Sequence, residues 1–222
     1  MKLIKQSLEK VEKALDILYS GAINGVPKFL DSAYELAEDY RDSYPNDLNK
    51  QISSLIRNQC MRSGASGFIS NAGGVITLPI ALPVNITSVL YIQLRMIAAI
   101  AILCGYSPKN DRVKTILLLC LIGDSIKNGL KKAGVKFTTK VGYKTISKIP
   151  GEVIKKINKT IGFRLLTKCG SKGIVNFAKL VPVAGAVVAG GFDFLFTKKV
   201  GNYTKNIFMF KGVDVNSFVY AK

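Results

Sequence analysis

The sequence predicts an all-α protein, a compact multi-helix bundle around a central apolar helical hairpin that Pro and Gly interrupt. Three observations lead there. Apolar residues recur at three- and four-residue steps rather than in alternation. Cap-forming residues precede several of those runs. The 222 residues are 48% hydrophobic, enough to bury the core of one domain. No repeat or low-complexity linker divides the chain, so residues 1–222 read as a single domain. Residues 1–62 supply amphipathic N-terminal helices, and residues 63–222 an apolar and basic body.

The first helix rests on Ile4, Leu8, Val11, Leu15 and Leu18, which share one stripe with Lys and Glu opposite. The Gly21–Pro27 segment breaks it. Ser32-Ala-Tyr-Glu35 has capping-box spacing, so a short acidic helix runs from there to about Arg41. Pro45-Asn46-Asp47 starts a third helix carrying Leu48, Ile52, Leu55 and Ile56, ending near Ser63-Gly64.

Between Ser63 and Leu94 no residue is charged, and Arg95 is the only charge before Lys109. About 20 apolar residues suffice to span a bilayer, but Gly73-Gly74, Pro79, Pro83 and Asn85 interrupt this run. Proline lacks the backbone donor and clashes with the preceding turn, which excludes one straight helix. Two segments are expected, 64–78 and 84–104, joined by a Pro-bounded bend. Asp111 is placed as the cap of the next helix, which passes through Ile116–Ile122 to Lys132. Residues 136–168 are amphipathic and basic, with Pro150 opening a helix. The last apolar element is Leu180–Phe196, where Gly185 with Ala189, and Ala186 with Gly190, are small-residue pairs that allow close helix approach. Residues 213–220 form a strand or a docked tail.

Charge is segregated along the chain. The total is 32 Lys+Arg against 14 Asp+Glu; residues 1–59 hold 8 basic and 9 acidic side chains, and residues 60–222 the other 24 and 5. The second part therefore carries a net +19, concentrated on Lys127, Lys131, Lys132, Lys140, Lys144, Lys148, Lys155, Lys156 and Lys159. Such a field attracts anionic bilayers or nucleic acid. Long lysine stems suit a headgroup layer. Only 6 of the 32 cations are Arg, and no aromatic-basic RNA motif is present. A membrane surface therefore ranks first, a merely solvated lysine face second, and nucleic acid third.

The absence of His excludes Ser-His-Asp, Cys-His and His-metal centres. No GxxxxGK[ST] or GxSxG motif occurs. No catalytic residue, cofactor or metal is nominated, and a non-enzymatic role is expected. Cys60, Cys104, Cys120 and Cys169 form no CxxC pair, and Glu9, Glu12 and Asp16 spoil the uncharged core a signal peptide needs. The expected location is the cytoplasm, peripheral to or inserted in the inner membrane. Arg95, Asp124 and Asp193 are lone charges in apolar surroundings. They are read as a buried network in which an aspartate balances Arg95, with an ion or headgroup site as the alternative.

Gly21-Ala-Ile-Asn-Gly-Val-Pro27, Ala37-Glu-Asp-Tyr40, Ser54-Leu-Ile-Arg57, Gly64-Ala-Ser-Gly-Phe68, Gly73–Pro79, Gln93–Ala99, Gly105-Tyr106 and Gly190-Gly-Phe-Asp193 follow one another in an order that resembles the EcsC family of bacterial proteins. The resemblance covers about residues 20–205. It implies a hydrophobic helical protein of a family named after the third gene of an ABC-transporter operon, with some relatives at antiviral defence loci. It implies no catalytic residues.

The expectation is a membrane-associated helical protein that binds anionic lipid through its Lys127–Lys179 face and inserts the 73–104 and 180–196 segments. A membrane transporter or another protein is the expected partner class. The rival is a soluble adaptor that keeps those segments as its core and offers the lysine face to an acidic protein or nucleic acid.

Overall fold

The computed structural model describes residues 2–26, 30–64, 84–122, 150–152, 154–155 and 185–209. Six α-helices run through them: α1 (Lys2–Asn24), α2 (Ala33–Ser43), α3 (Leu48–Gly64), α4 (Val84–Leu103), α5 (Asp111–Ile122) and α6 (Gly185–Phe208). The all-α expectation holds; among the described residues the only β pairing is an isolated bridge between Val26 and Leu30.

The helix boundaries follow from local chemistry. α1 continues through Gly21 and stops at Gly25, whose φ of +75° is left-handed. A Cβ there would lie 2.7 Å from the Leu30 carbonyl oxygen and 2.9 Å from the Ser32 nitrogen, so only glycine allows the chain to fold back at this point. The capping box of α2 forms as read: the Ser32 N–H donates to Glu35 Oε2 at 2.6 Å, and the Glu35 N–H donates to Ser32 Oγ at 3.0 Å. The Ser32 backbone N–H, and after it the Ser32 hydroxyl, hold the Glu35 carboxyl below its ordinary range. Asp47 Oδ1 accepts from the Lys50 N–H at 2.9 Å at the start of α3. One cap departs from expectation. Asn110 Oδ1, not Asp111, accepts from the Arg112 and Val113 N–H groups at 3.0 and 3.3 Å, leaving Asp111 as an acid in the first turn. α6 begins at Gly185 and runs on to Phe208 instead of ending at Phe196.

α4 decides the architecture. From Tyr91 to Ala101 no residue exceeds 2% exposure, and the helix touches each of the other five. A helix apolar all round is either a lipid span or the centre of a globular core; α4 is the second. Tyr91, Leu94, Met96, Ile97 and Ile100 fill the middle of one continuous apolar cluster with Leu18, Ile52, Leu55 and Ile116. Burying each such side chain contributes about 1.5–3 kcal/mol. No helix among the described residues is long and apolar enough to cross a membrane.

The relative helix directions come from specific contacts. Ser63 Oγ donates to the Asp193 carbonyl at 3.3 Å, a Cβ on Gly201 would meet Ile56, and Lys205 Nζ donates to Asn49 and Ser53. α3 and α6 are therefore antiparallel. Gln93 Nε2 donates to Thr197 Oγ1 at 3.0 Å, and Gly201 also faces Met96, so α4 and α6 run parallel. At the opposite end the Tyr106 and Phe208 rings meet edge-on at 5.0 Å. There too, Tyr19 Oη donates to the Pro108 carbonyl at 2.7 Å, tying α1 to the turn between α4 and α5.

Candidate functional site

Three polar features interrupt the apolar core, and each depends on where α4 lies. The first is Arg95, 2% exposed, whose Nη2 donates to Asp31 Oδ2 at 3.2 Å. Asp31 is 68% exposed and directly precedes the α2 cap, so the guanidinium reaches from the core to a surface carboxylate. Tyr91, one turn earlier on α4, donates from Oη to the Gly21 carbonyl at 3.2 Å. Burial pushes its phenol up to about 12. Among the described residues the aspartate that balances Arg95 is Asp31, which is not one of the two expected. Asp193 lies half-buried on α6 against the end of α3; burial raises its carboxyl pKa, and its main-chain oxygen makes the contact to Ser63. Asp124 lies outside the described residues.

The second feature is a layer of amides. Ser63 opposite Asp193 and Ile56 opposite Gly201 set the register of α3 on α6, which brings Gln59 level with Thr197 and hence with Gln93. Gln59 and Gln93 are buried. Gln59 Nε2 and Gln93 Oε1, a donor and an acceptor, have no partner atom among the described residues, and neither does Arg95 Nε. Buried polar groups of this kind favour one helix register over others, because a slip strands them in an apolar setting.

The third feature is the set of thiols. Cys60, Cys104 and Cys120 are free, and burial pushes them up to about 11, 12 and 12. They are neutral thiols at physiological pH, the inert form. Among the described residues no group of three His, Cys, Asp or Glu side chains is placed to hold a metal ion.

The expected lipid-facing lysines are largely beyond these features. Lys127, Lys131, Lys132, Lys140, Lys144, Lys148, Lys156 and Lys159 lie outside the described residues, and Lys155 is exposed. Gly185, Ala189 and Gly190 all fall within the first part of α6. What surrounds those three is outside the described side chains; further along the helix Gly201 makes a close approach, where a Cβ would sit 2.9 Å from both Ile56 Cγ1 and Cγ2 and 3.2 Å from Met96 Sδ.

The motif positions that suggested a family are brought into contact. Gly21 packs under Tyr91, Tyr40 Oη accepts from Asn58 Nδ2 at 2.6 Å beside Arg57, and Arg95 closes on the segment that follows Gly25. A comparison with protein families matches residues 2–210 to the EcsC protein family. The chain belongs to the EcsC protein family. The EcsC match takes in all six helices, so the α4-centred core and the Arg95–Asp31 contact both fall inside it. No curated protein and no solved structure matches this EcsC chain.

Proposed function

We propose that this EcsC protein is a non-enzymatic helical module that attaches to anionic membrane surfaces from the cytoplasmic side. The observation that carries the reading is the segregated charge: residues 60–222 hold 24 basic and 5 acidic side chains beside a run, 63–94, with no charge at all. Lysines near an anionic surface contribute about 1 kcal/mol each, and their stems lie along lipid while the ammonium stays at headgroup level. The burial of α4 narrows the insertion expected for residues 73–104. Inserting residues 91–101 would require the other helices to give up their shared core, so lipid contact falls to residues outside it. The partner class is a membrane transporter or another protein, and a place in antiviral defence is part of the same proposal.

Flotation of the purified chain with phosphatidylglycerol-rich vesicles tests the reading. Co-flotation at low salt that weakens at high salt supports it, and failure to float at low salt refutes it. A second reading has one observation in its favour. With α4 in the core, the bundle can also serve as a soluble adaptor that holds an acidic protein or nucleic acid on its lysine face; salt-sensitive binding to such a polyanion without any affinity for vesicles would select it.

A further inference from the structure

The helix directions place three chain ends at one pole of the bundle. α3 is antiparallel to α6 and α4 is parallel to it, so the end of α3 at Gly64 and the starts of α4 at Val84 and α6 at Gly185 lie on the same side. Asp193 is level with Ser63. At ~1.5 Å per residue, the α6 backbone from Gly185 to Asp193 spans about 12 Å on the pole side of the Ser63 level. This sequence, Gly185-Ala-Val-Val-Ala-Gly-Gly-Phe192, contains no charge. The first turns of α4, Val84-Asn-Ile-Thr-Ser88, are uncharged as well.

The same pole bears the two most exposed large apolar side chains among the described residues, Leu195 at 65% and Met61 at 54%. Cations stand one turn behind them. Lys198 follows Leu195 by three positions and lies close enough to Cys60 for its charge to act on that thiol; Arg57 precedes Met61 by four. Both are exposed. Exposed apolar side chains set among cations, with Arg62 beside Met61 and Lys198 and Arg57 one turn behind, suit the boundary between acyl chain and headgroup. The 19 residues between Gly64 and Val84 carry no charge, and Gly64 and Val84 both lie at this pole. A single crossing of the hydrocarbon takes about 20 residues and would leave the two ends on opposite sides.

We infer that the pole carrying Met61 and Leu195 is the face that meets an anionic membrane, and that the contact is one-sided, confined to the near leaflet. The inference rests on the membrane reading above and adds an orientation and a depth limit to it.

The chain contains no Trp, so single-tryptophan variants report one position each. Leu195→Trp and Met61→Trp probe the pole. Ile17→Trp, at a 39% exposed site on α1 near the opposite end, is the comparison. All three sites are exposed, and thermal melts matching the parent chain establish that the variants fold. With phosphatidylglycerol vesicles containing brominated phosphatidylcholine, indole emission from positions 195 and 61 is expected to shift to the blue and be quenched, with no change at position 17. Iodide trapped inside plain vesicles is expected to quench none of them. Flotation with quenching at position 17 but not at 195 and 61 overturns the orientation and leaves membrane binding intact. Quenching of any position from the vesicle interior overturns the one-leaflet limit, and absence of flotation refutes this inference together with the reading beneath it.

Discussion

Replacing Gly201 by alanine tests whether α6 is held at its present distance from α3 and α4. The added methyl would lie 2.9 Å from Ile56 Cγ1 and Cγ2 and 3.2 Å from Met96 Sδ, inside the ~3.5–4.0 Å of comfortable carbon contact. Methionine yields easily. Ile56 does not, because both atoms hang directly on a β-branched carbon with one preferred rotamer in a helix. Overpacking a closed core costs about 1–3 kcal/mol, against which alanine recovers about 0.5–1 kcal/mol of helix propensity. The expected net loss is about 0.5–2 kcal/mol, measured by urea unfolding followed by circular dichroism. Gly191 provides the contrast. It is exposed, and a methyl added there would have nothing within 4 Å, so Gly191→Ala should stabilise by about 0.5–1 kcal/mol. Ile56→Ala, costly alone, should cost less by about 0.5–3 kcal/mol in the Gly201→Ala background. If Gly201→Ala stabilises as much as Gly191→Ala, or shows no coupling to Ile56, the close approach of α6 is wrong.

Arg95→Met should be neutral or stabilising by urea unfolding, because it leaves Asp31 solvated and fills the core with an apolar chain of similar length, whereas Asp31→Asn should cost about 1–3 kcal/mol by stripping the charge partner from a buried guanidinium; the opposite order would contradict the contact. Stability should fall as pH rises above 9: the unfolded chain releases thiol protons from the ordinary 9.0, while Cys104 and Cys120 in the folded chain hold theirs to about 12, so the contribution present below pH 9 is lost toward pH 12. A Cys104→Ala/Cys120→Ala chain should show a shallower decline, and an unchanged slope would deny those thiols a part in it. On membranes, Lys140→Glu, Lys144→Glu and Lys148→Glu should each weaken partition into phosphatidylglycerol vesicles at least about five-fold, from ~1 kcal/mol per lysine; flotation unchanged by all three together would remove that face from the binding surface.

Helix positions were legible in the sequence wherever a local signal marks them. The Ser32–Glu35 capping box and the Leu15 and Leu18 part of the α1 stripe depend on residues close in the chain, and they form as read. The burial of α4 was not legible, since an uncharged helix suits lipid and a protein core equally until its neighbours are known. The same limit hid Asp31, which lies 64 positions from Arg95 and looks in sequence like any polar residue before a helix cap. Gln93 meets Thr197, with Gln59 at the same level, only through the register of three separate helices, and nothing in their own segments marks them. Gly201 is marked only as an isolated glycine inside a helix, whereas Gly185 and Gly190 carry the recognised small-residue spacing and point to an earlier turn of α6.

Hydrogen exchange of the free and vesicle-bound chain, read by mass spectrometry, tests most directly whether the protein meets the membrane as an intact bundle. An intact bundle keeps residues 91–101 of α4 among the slowest to exchange in both states, and vesicles add protection around residues 57–64 and 191–199. Exposure of α4 on binding, with protection moving from its packed neighbours to lipid, would contradict it.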